Sequence, residues 1–570
     1  MPKNILVISS FFIFFFIAGV AYLNSPKIDP LKNLKLFTPI NPFNGFTSSF
    51  CEFRTTHPHA GLDFSTGQKN GVPVIATMDG EVRQVKITYR GHGKALYLYH
   101  KNNLLSVYAH LSKFHQSIED YLKPFYQKNI YPGTVEISPP LKFKAGDIIA
   151  FSGETGEGYP HLHYELRKDN NPINPLPYFS FEKNSKVHVK KLIVTPESPF
   201  SSINGKFTKV ALNFPIKEIN IFGTFSLGIE TYDSYNGNKR GIQKIELFID
   251  NELASIFEPD TFSFDHFYGI RFIYDGSFST FSPTRMVYNL NTQKENPFKF
   301  IQGKSFFDLL EGKHNFEIVV YGASDILRKN FFVNIKKALP KAPVLKSNIF
   351  LKSHFFLSNQ SGQYYPPSIN KYKVGSNEFH IGFLKPSEKF PLKNFEIMHN
   401  EKYPVPFCFY LKDYINKTQL KAMTPCLFIE PKDLALTKKI QIKVNLNNEK
   451  EKEKLGIYRL RGNLFWGGDW DGDKLSAEVF APEDYVVLKD DIPPIIQKFY
   501  KKNNKIFVIT KDIGSGIPWD GVQIKINNKN FILEYDPDHI RAEGEILEKG
   551  KAILSVKDYA NNKTEQIIHF

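Results

Sequence analysis

Four stretches near the N-terminus combine residue types that bind metal ions and move protons. They are His57-Pro-His-Ala-Gly-Leu-Asp-Phe64, Val107-Tyr-Ala-His-Leu-Ser112, the turn Ser152-Gly-Glu-Thr-Gly156, and Pro160-His-Leu-His-Tyr-Glu-Leu-Arg167. In a strand, side chains two apart share a face, so His161 and His163 project together while Leu162 points away. His59 and Asp63 are four apart, and Gly61 between them permits a bend that brings imidazole and carboxylate to one ion. Catalytic zinc takes three protein ligands from His, Asp, Glu or Cys and keeps a fourth position open. His59, Asp63 and one of His161 and His163 meet that count. The remaining histidines are then free to serve a water molecule and an oxyanion. No HExxH sequence occurs, so histidine rather than a helical glutamate has to handle the proton.

These residues need rigid elements to hold them. Between residues 46 and 180, apolar runs alternate with turns. Val72–Ala76, Gly80–Val85, Ala95–Tyr99 and Leu105–Tyr108 read as short antiparallel strands. The stretch His115–Lys128 is the most helix-like here and reads as an insertion between strand regions. With 16 His in the chain, one HxH carries little weight. The ordered set carries much more: HxxxD, a strand ending in His, a glycine turn, then HxH.

That set resembles the M23 peptidases, the family of lysostaphin-like and LytM-like cell-wall hydrolases. The matching stretches are His59-Ala-Gly-Leu-Asp63, Gly71-Val-Pro-Val-Ile-Ala-Thr-Met-Asp-Gly-Glu-Val82, Tyr108-Ala-His-Leu-Ser112, Lys144-Ala-Gly-Asp-Ile-Ile149, Gly153-Glu-Thr-Gly156 and Pro160-His-Leu-His-Tyr-Glu-Leu166. The resemblance implies zinc as cofactor, His59, Asp63 and His163 as its ligands, and His110 and His161 as the catalytic histidines. It also implies a peptidoglycan peptide as substrate. Three departures stand out. His57 is an extra histidine, either supporting a ligand or simply exposed. Cys51 stands just before the site, where a small residue is expected, and reads as a buried thiol rather than a metal or redox group. The segment 115–140 is longer than in minimal members and is a candidate wall of the substrate groove.

Beyond about residue 185 the chain is strand and turn. Gly241–Asn251 and Gly521–Asn528 share one pattern of alternating apolar residues. A second shared strand follows, Gly312–Tyr321 in one copy and Gly550–Asp558 in the other. The expected fold is mostly β: an antiparallel M23-type peptidase domain at 46–180, followed by β-sandwich modules of immunoglobulin type. These modules are placed at 190–337 and 490–570. A β-rich region of unassigned topology lies between them, at 345–488. Asp469-Trp-Asp-Gly-Asp473 clusters three carboxylates of the kind that hold calcium; it lacks the full EF-hand pattern and reads more readily as an ordinary acidic turn.

The net charge of +15 fits an anionic surface or polymer, or serves only solubility. The lysines are dispersed and no zinc-finger or RNA-binding signature is present, which argues against nucleic acid as partner. Three Cys exclude a disulfide scaffold. Cys408 and Cys426 either pair or remain buried thiols. Residues 1–23, with Lys3 before the apolar run Ile5–Ile17 and small residues at Ala18, Gly19 and Ala21, read as a signal peptide or an N-terminal membrane anchor. The protein is therefore expected outside the cytoplasm, in the periplasm or cell envelope, with a possible membrane tether. The leading function is a zinc endopeptidase acting on peptidoglycan. The alternatives are a non-catalytic scaffold or activator that binds the wall, and a secreted peptidase acting on other protein or foreign wall.

Overall fold

The computed structural model describes residues 31–570 apart from 337–367 and short stretches at 32, 89–90, 128–132, 157, 181–183, 198–200, 292–295, 304–308, 375–376, 416–418, 431, 433, 448, 462–463, 503–504, 528, 537–539, 546–549 and 570. The expected signal or anchor at 1–23 lies outside the described residues. Among the described residues no helix is long and apolar enough to cross a membrane. The chain is mostly β.

The histidine-bearing part is built from two antiparallel sheets. Its strands are β1 (Phe46–Ser48), β2 (Leu62–Ser65), β3 (Pro73–Ile75), β4 (Gly80–Ile87), β5 (Lys94–Tyr99), β6 (Leu104–Ala109), β7 (Leu111–Phe114), β8 (Gly133–Phe143), β9 (Ile148–Ser152), β10 (His161–Lys168) and β11 (Asn171–Ile173). The main sheet runs β1-β2-β10-β6-β5-β4-β8, and a small sheet β3-β9-β7 packs beside it. The four strands expected from alternation are all present. Helix α1 (Gln116–Gln127) is the expected insertion, with Ile118 and Leu122 fully buried. The strand that follows it, β8, pairs with β4, three strands away from β6, so this part of the insertion does not border the histidines.

Strand β10 shows why the alternation matters. Leu162, Tyr164 and Leu166 are fully buried on one face. There the Tyr164 hydroxyl joins Ser106 and Thr77 in a buried hydrogen-bonded cluster. The opposite face carries His161, His163, Glu165 and Arg167. The chain bends at Gly61, and a Cβ there would lie 2.1 Å from the Tyr164 carbonyl oxygen. Gly61 is thus needed for close approach of two backbones as well as for the bend. Gly61→Ala is expected to cost about 3 kcal/mol, the upper end for overpacking, and to lower the first unfolding midpoint in a urea titration. An unchanged midpoint would contradict this packing.

Two-layer β structure follows. Residues 186–336 form two sheets, 370–489 two more, and 495–569 a last pair of four-stranded sheets. The repeat in the sequence is a repeat in topology. Ile326–Lys336, Gly312–Tyr321, Lys244–Ile249 and Glu252–Phe257 lie side by side in that order. Lys563–His569, Lys551–Lys557, Val522–Ile526 and Lys529–Ile532 do the same. The middle region, unassigned from sequence, closes its own apolar core between two sheets, with Ile397, Phe407, Ile442 and Val487 at its centre. The first sandwich has no separate core: buried residues from Leu36 to Ile335 form one continuous cluster.

Cys51, Cys408 and Cys426 are buried free thiols. Cys408 lies opposite Glu430 and Cys426 opposite Lys412. The two are therefore offset by four residues on adjacent strands, about 13 Å at strand rise, too far for a disulfide. Asp469–Asp471 is one arm of a hairpin paired with Lys474–Val479, and Asp473 binds Lys452 Nζ at 3.2 Å. This is an acidic turn, as its sequence indicates.

Candidate metal centre

Register places the ligands. In β10, His163 lies directly opposite Asp63 of β2 and Ala109 of β6. Cross-strand partners share a face, so Asp63 and His163 meet side by side. His59 precedes the Gly61 bend and turns its ring back onto the same spot. His59 Nε2 lies 3.0 Å from Asp63 Oδ1 and 3.0 Å from His163 Nδ1, and His163 Nδ1 lies 2.9 Å from Asp63 Oδ1. All three residues are buried.

The chemistry of this triangle can be read from its outer hydrogen bonds. His59 Nδ1 donates to the Ser49 carbonyl at 2.8 Å, so Nε2 carries the lone pair. His163 Nε2 bonds Glu165 Oε1 at 3.0 Å, so in the neutral ring Nδ1 carries the lone pair. Two imidazole lone pairs and a carboxylate oxygen therefore converge, and such a set requires a positive charge at its centre. A proton on His163 or a metal cation can supply it. Burial opposes the imidazolium, but the bonds to Asp63 and Glu165 outweigh that and raise its pKa to about 9. Burial likewise opposes the Asp63 carboxylate, yet His59 and His163 hold its pKa well below the usual range. A triangle of this size also admits a cation roughly 2.0–2.2 Å from each corner, the zinc–nitrogen and zinc–oxygen length. The residues fit zinc, which would replace the proton.

His110 and His161 sit beside the triangle, with their ring centroids 4.5 Å apart. His110 ends β6 in a left-handed conformation (φ 59°). Its Nδ1 donates to the Thr155 carbonyl at 2.9 Å, which leaves Nε2 free. Burial, reinforced by His161 and His163, pushes its pKa well below the ordinary value and keeps the ring neutral. The glycine turn serves this contact. A Cβ on Gly93 would strike the Thr155 carbonyl at 2.0 Å, so only glycine lets that loop close against Thr155. His161 donates from Nδ1 to the Tyr159 carbonyl at 2.5 Å and places Nε2 3.8 Å from Asp63 Oδ1. His163 is thus the member of the HxH pair within the triangle, and His161 flanks it.

Sequence reasoning left several partners unassigned. Glu165 bonds His163 and also His92 Nε2 at 3.1 Å. Arg167 Nε binds its other oxygen at 2.6 Å. Burial opposes the Glu165 carboxylate, but Arg167, His163 and His92 hold its pKa well below the usual range. Glu165 therefore fixes the ring of His163 and raises its basicity as a ligand. It is two residues past His163, and the same two-residue period would have found it. His92 lies in a loop between glycines, where no spacing rule reaches. His57 binds no ligand side chain in these contacts; it stacks on Phe267 with centroids 4.4 Å apart, and its Nδ1 meets the Thr56 hydroxyl at 2.9 Å. Burial, then Arg54, lowers its pKa to about 3. Burial pushes the Cys51 thiol up, which makes it an inert core residue.

Residues 57–124 match Peptidase family M23. Over this stretch the chain is similar to an M23 peptidase domain. A 119-residue stretch of it is 34% identical to the DD-carboxypeptidase/endopeptidase Mpg of Neisseria meningitidis, covering 21% of this chain and 22% of that protein. A 118-residue stretch is 31% identical to the murein hydrolase activator NlpD of Escherichia coli, covering 21% of this chain and 25% of NlpD. The catalytic domain of the prophage-encoded M23 protein EnpA from Enterococcus faecalis aligns at 25% identity and a TM-score of 0.19, covering 25% of this chain and 95% of that one. The chain thus spans about a quarter or less of the length of these curated relatives.

Proposed function

We propose that the protein is a zinc-dependent endopeptidase that hydrolyses peptide cross-links of bacterial peptidoglycan in the cell envelope. In this reading the catalytic domain is 46–180, and β-sandwich modules follow at 190–337 and 490–570 with the β-rich region 345–488 between them. One observation carries the proposal. Three ligand atoms, His59 Nε2, Asp63 Oδ1 and His163 Nδ1, lie within 2.9–3.0 Å of one another, with two further histidines alongside.

Zinc bound there would supply a Lewis acid for a scissile carbonyl and would make water a nucleophile near neutral pH. His110 is neutral and offers Nε2, so it accepts the proton of the attacking water. Its bond to Thr155 holds the ring in that tautomer. His161, once protonated at Nε2, donates to the oxygen on which negative charge develops. Glu165 keeps the ring of His163 in place while charge moves nearby.

A second reading is favoured by the NlpD match: the domain binds the wall and activates a separate hydrolase. The filled positions His59, Asp63, His110, His161 and His163 support the enzyme instead. Chelation separates the two. Protein stripped of metal should release no new amino groups from purified sacculi and should regain release with stoichiometric zinc. Release that is indifferent to metal, or that appears only when another hydrolase is added, would contradict the enzyme.

A further inference from the structure

We infer that the first β-sandwich module, residues 186–336, is part of the metal site, because through Gly241 it clamps the turn that orients His59; this rests on the zinc reading above. The ring of His59 is aimed by one bond, from Nδ1 to the Ser49 carbonyl. Ser49 belongs to a tight turn, Ser49–Glu52, whose Cys51 takes the left-handed conformation (φ 61°). The turn is laced to the His59 backbone by Cys51 N to His59 O at 2.7 Å and His59 N to Glu52 O at 2.9 Å.

Residues outside the peptidase sheet hold this turn. Glu52 Oε2 accepts from Ser49 N at 3.0 Å and from the module's Gly241 N at 2.9 Å. The Ser49 hydroxyl donates to the Gly241 carbonyl at 2.9 Å, and the Tyr274 hydroxyl donates to the Cys51 carbonyl at 3.0 Å. Ser49, Cys51, Glu52 and Tyr274 are all 3% exposed or less, so these bonds form away from water, where losing a partner is most costly. The same carboxylate reaches a second ligand. Arg54 bridges Glu52 Oε1 and Asp63 Oδ2, 3.1 Å from each. Glu52 is a positioning residue for both His59 and Asp63.

The test uses the full chain. Zinc affinity is measured by competition with a chromophoric chelator, and the visible absorption of the cobalt-substituted protein serves as a second readout. In Glu52→Gln, one amide cannot accept from Ser49 and Gly241 and from Arg54 at once. Affinity should fall roughly 10–100-fold, as for loss of a ligand's orienting partner, and the cobalt spectrum should change. Gly241→Ala acts from the module side. Its methyl would lie 3.4 Å from Ser49 Cβ and 3.3 Å from Tyr288 Oη, and it should weaken zinc by a smaller factor even if Glu52→Gln fails to fold. Thr261→Val removes a different interface bond, from Thr261 Oγ1 to the Pro172 carbonyl, and should bind zinc as the wild type does. Wild-type affinity in Gly241→Ala and in folded Glu52→Gln, or an equal loss in Thr261→Val, would overturn the inference. A wild-type chain that binds no zinc would overturn the zinc reading itself and this inference with it.

Discussion

His163→Ala is expected to fold and to lose zinc. The substitution removes one of three ligand atoms, so the loss of affinity should exceed the roughly 10–100-fold that follows from losing an orienting partner. Activity should vanish with the metal. The fold should survive because Glu165, freed of its histidine, keeps Arg167 as its counter-charge and His92 within hydrogen-bond reach, so this buried carboxylate is not left unpaired. The other face of β10, with Leu162, Tyr164 and Leu166, is untouched. Metal content by elemental analysis of the folded variant decides the matter. One zinc per chain in His163→Ala would contradict the ligand assignment.

His110→Ala should show the opposite pattern. His110 contributes no atom to the ligand triangle, so zinc should remain at wild-type stoichiometry. The rate of peptide hydrolysis should fall roughly 10²–10⁴-fold, the usual contribution of a positioned acid or base. The contrast between the two variants matters more than either alone. Loss of zinc in His110→Ala would place that ring among the ligands, and unchanged hydrolysis would remove it from the proton chemistry.

The period of two was enough to place His161 and His163 on one face from sequence. Which of them joins Asp63 depends on register, and the pairing His163↔Asp63 is set by long-range strand order that spacing does not encode. Glu165 and Arg167 continue the same row and were within reach of the same rule. Arg54, Glu52 and His92 were not, because they arrive from loops whose path depends on packing. The coupling of the peptidase sheet to the first sandwich was hidden for a related reason. Its contacts come from an aromatic loop region, where Phe262 stacks on Phe50 and Tyr274 meets Phe53 edge-on. Sequence reading treats such connecting segments as surface. The four-residue offset of Cys408 and Cys426 likewise follows only from strand pairing.

Digestion of purified peptidoglycan separates an endopeptidase from an activator. Zinc-loaded full-length protein would be incubated with purified sacculi and no other hydrolase, and the soluble products resolved by mass spectrometry beside His110→Ala. Uncross-linked muropeptides bearing new peptide termini are expected from the wild type alone. Intact cross-links after incubation with folded, zinc-loaded wild type would contradict the endopeptidase and favour the activator reading.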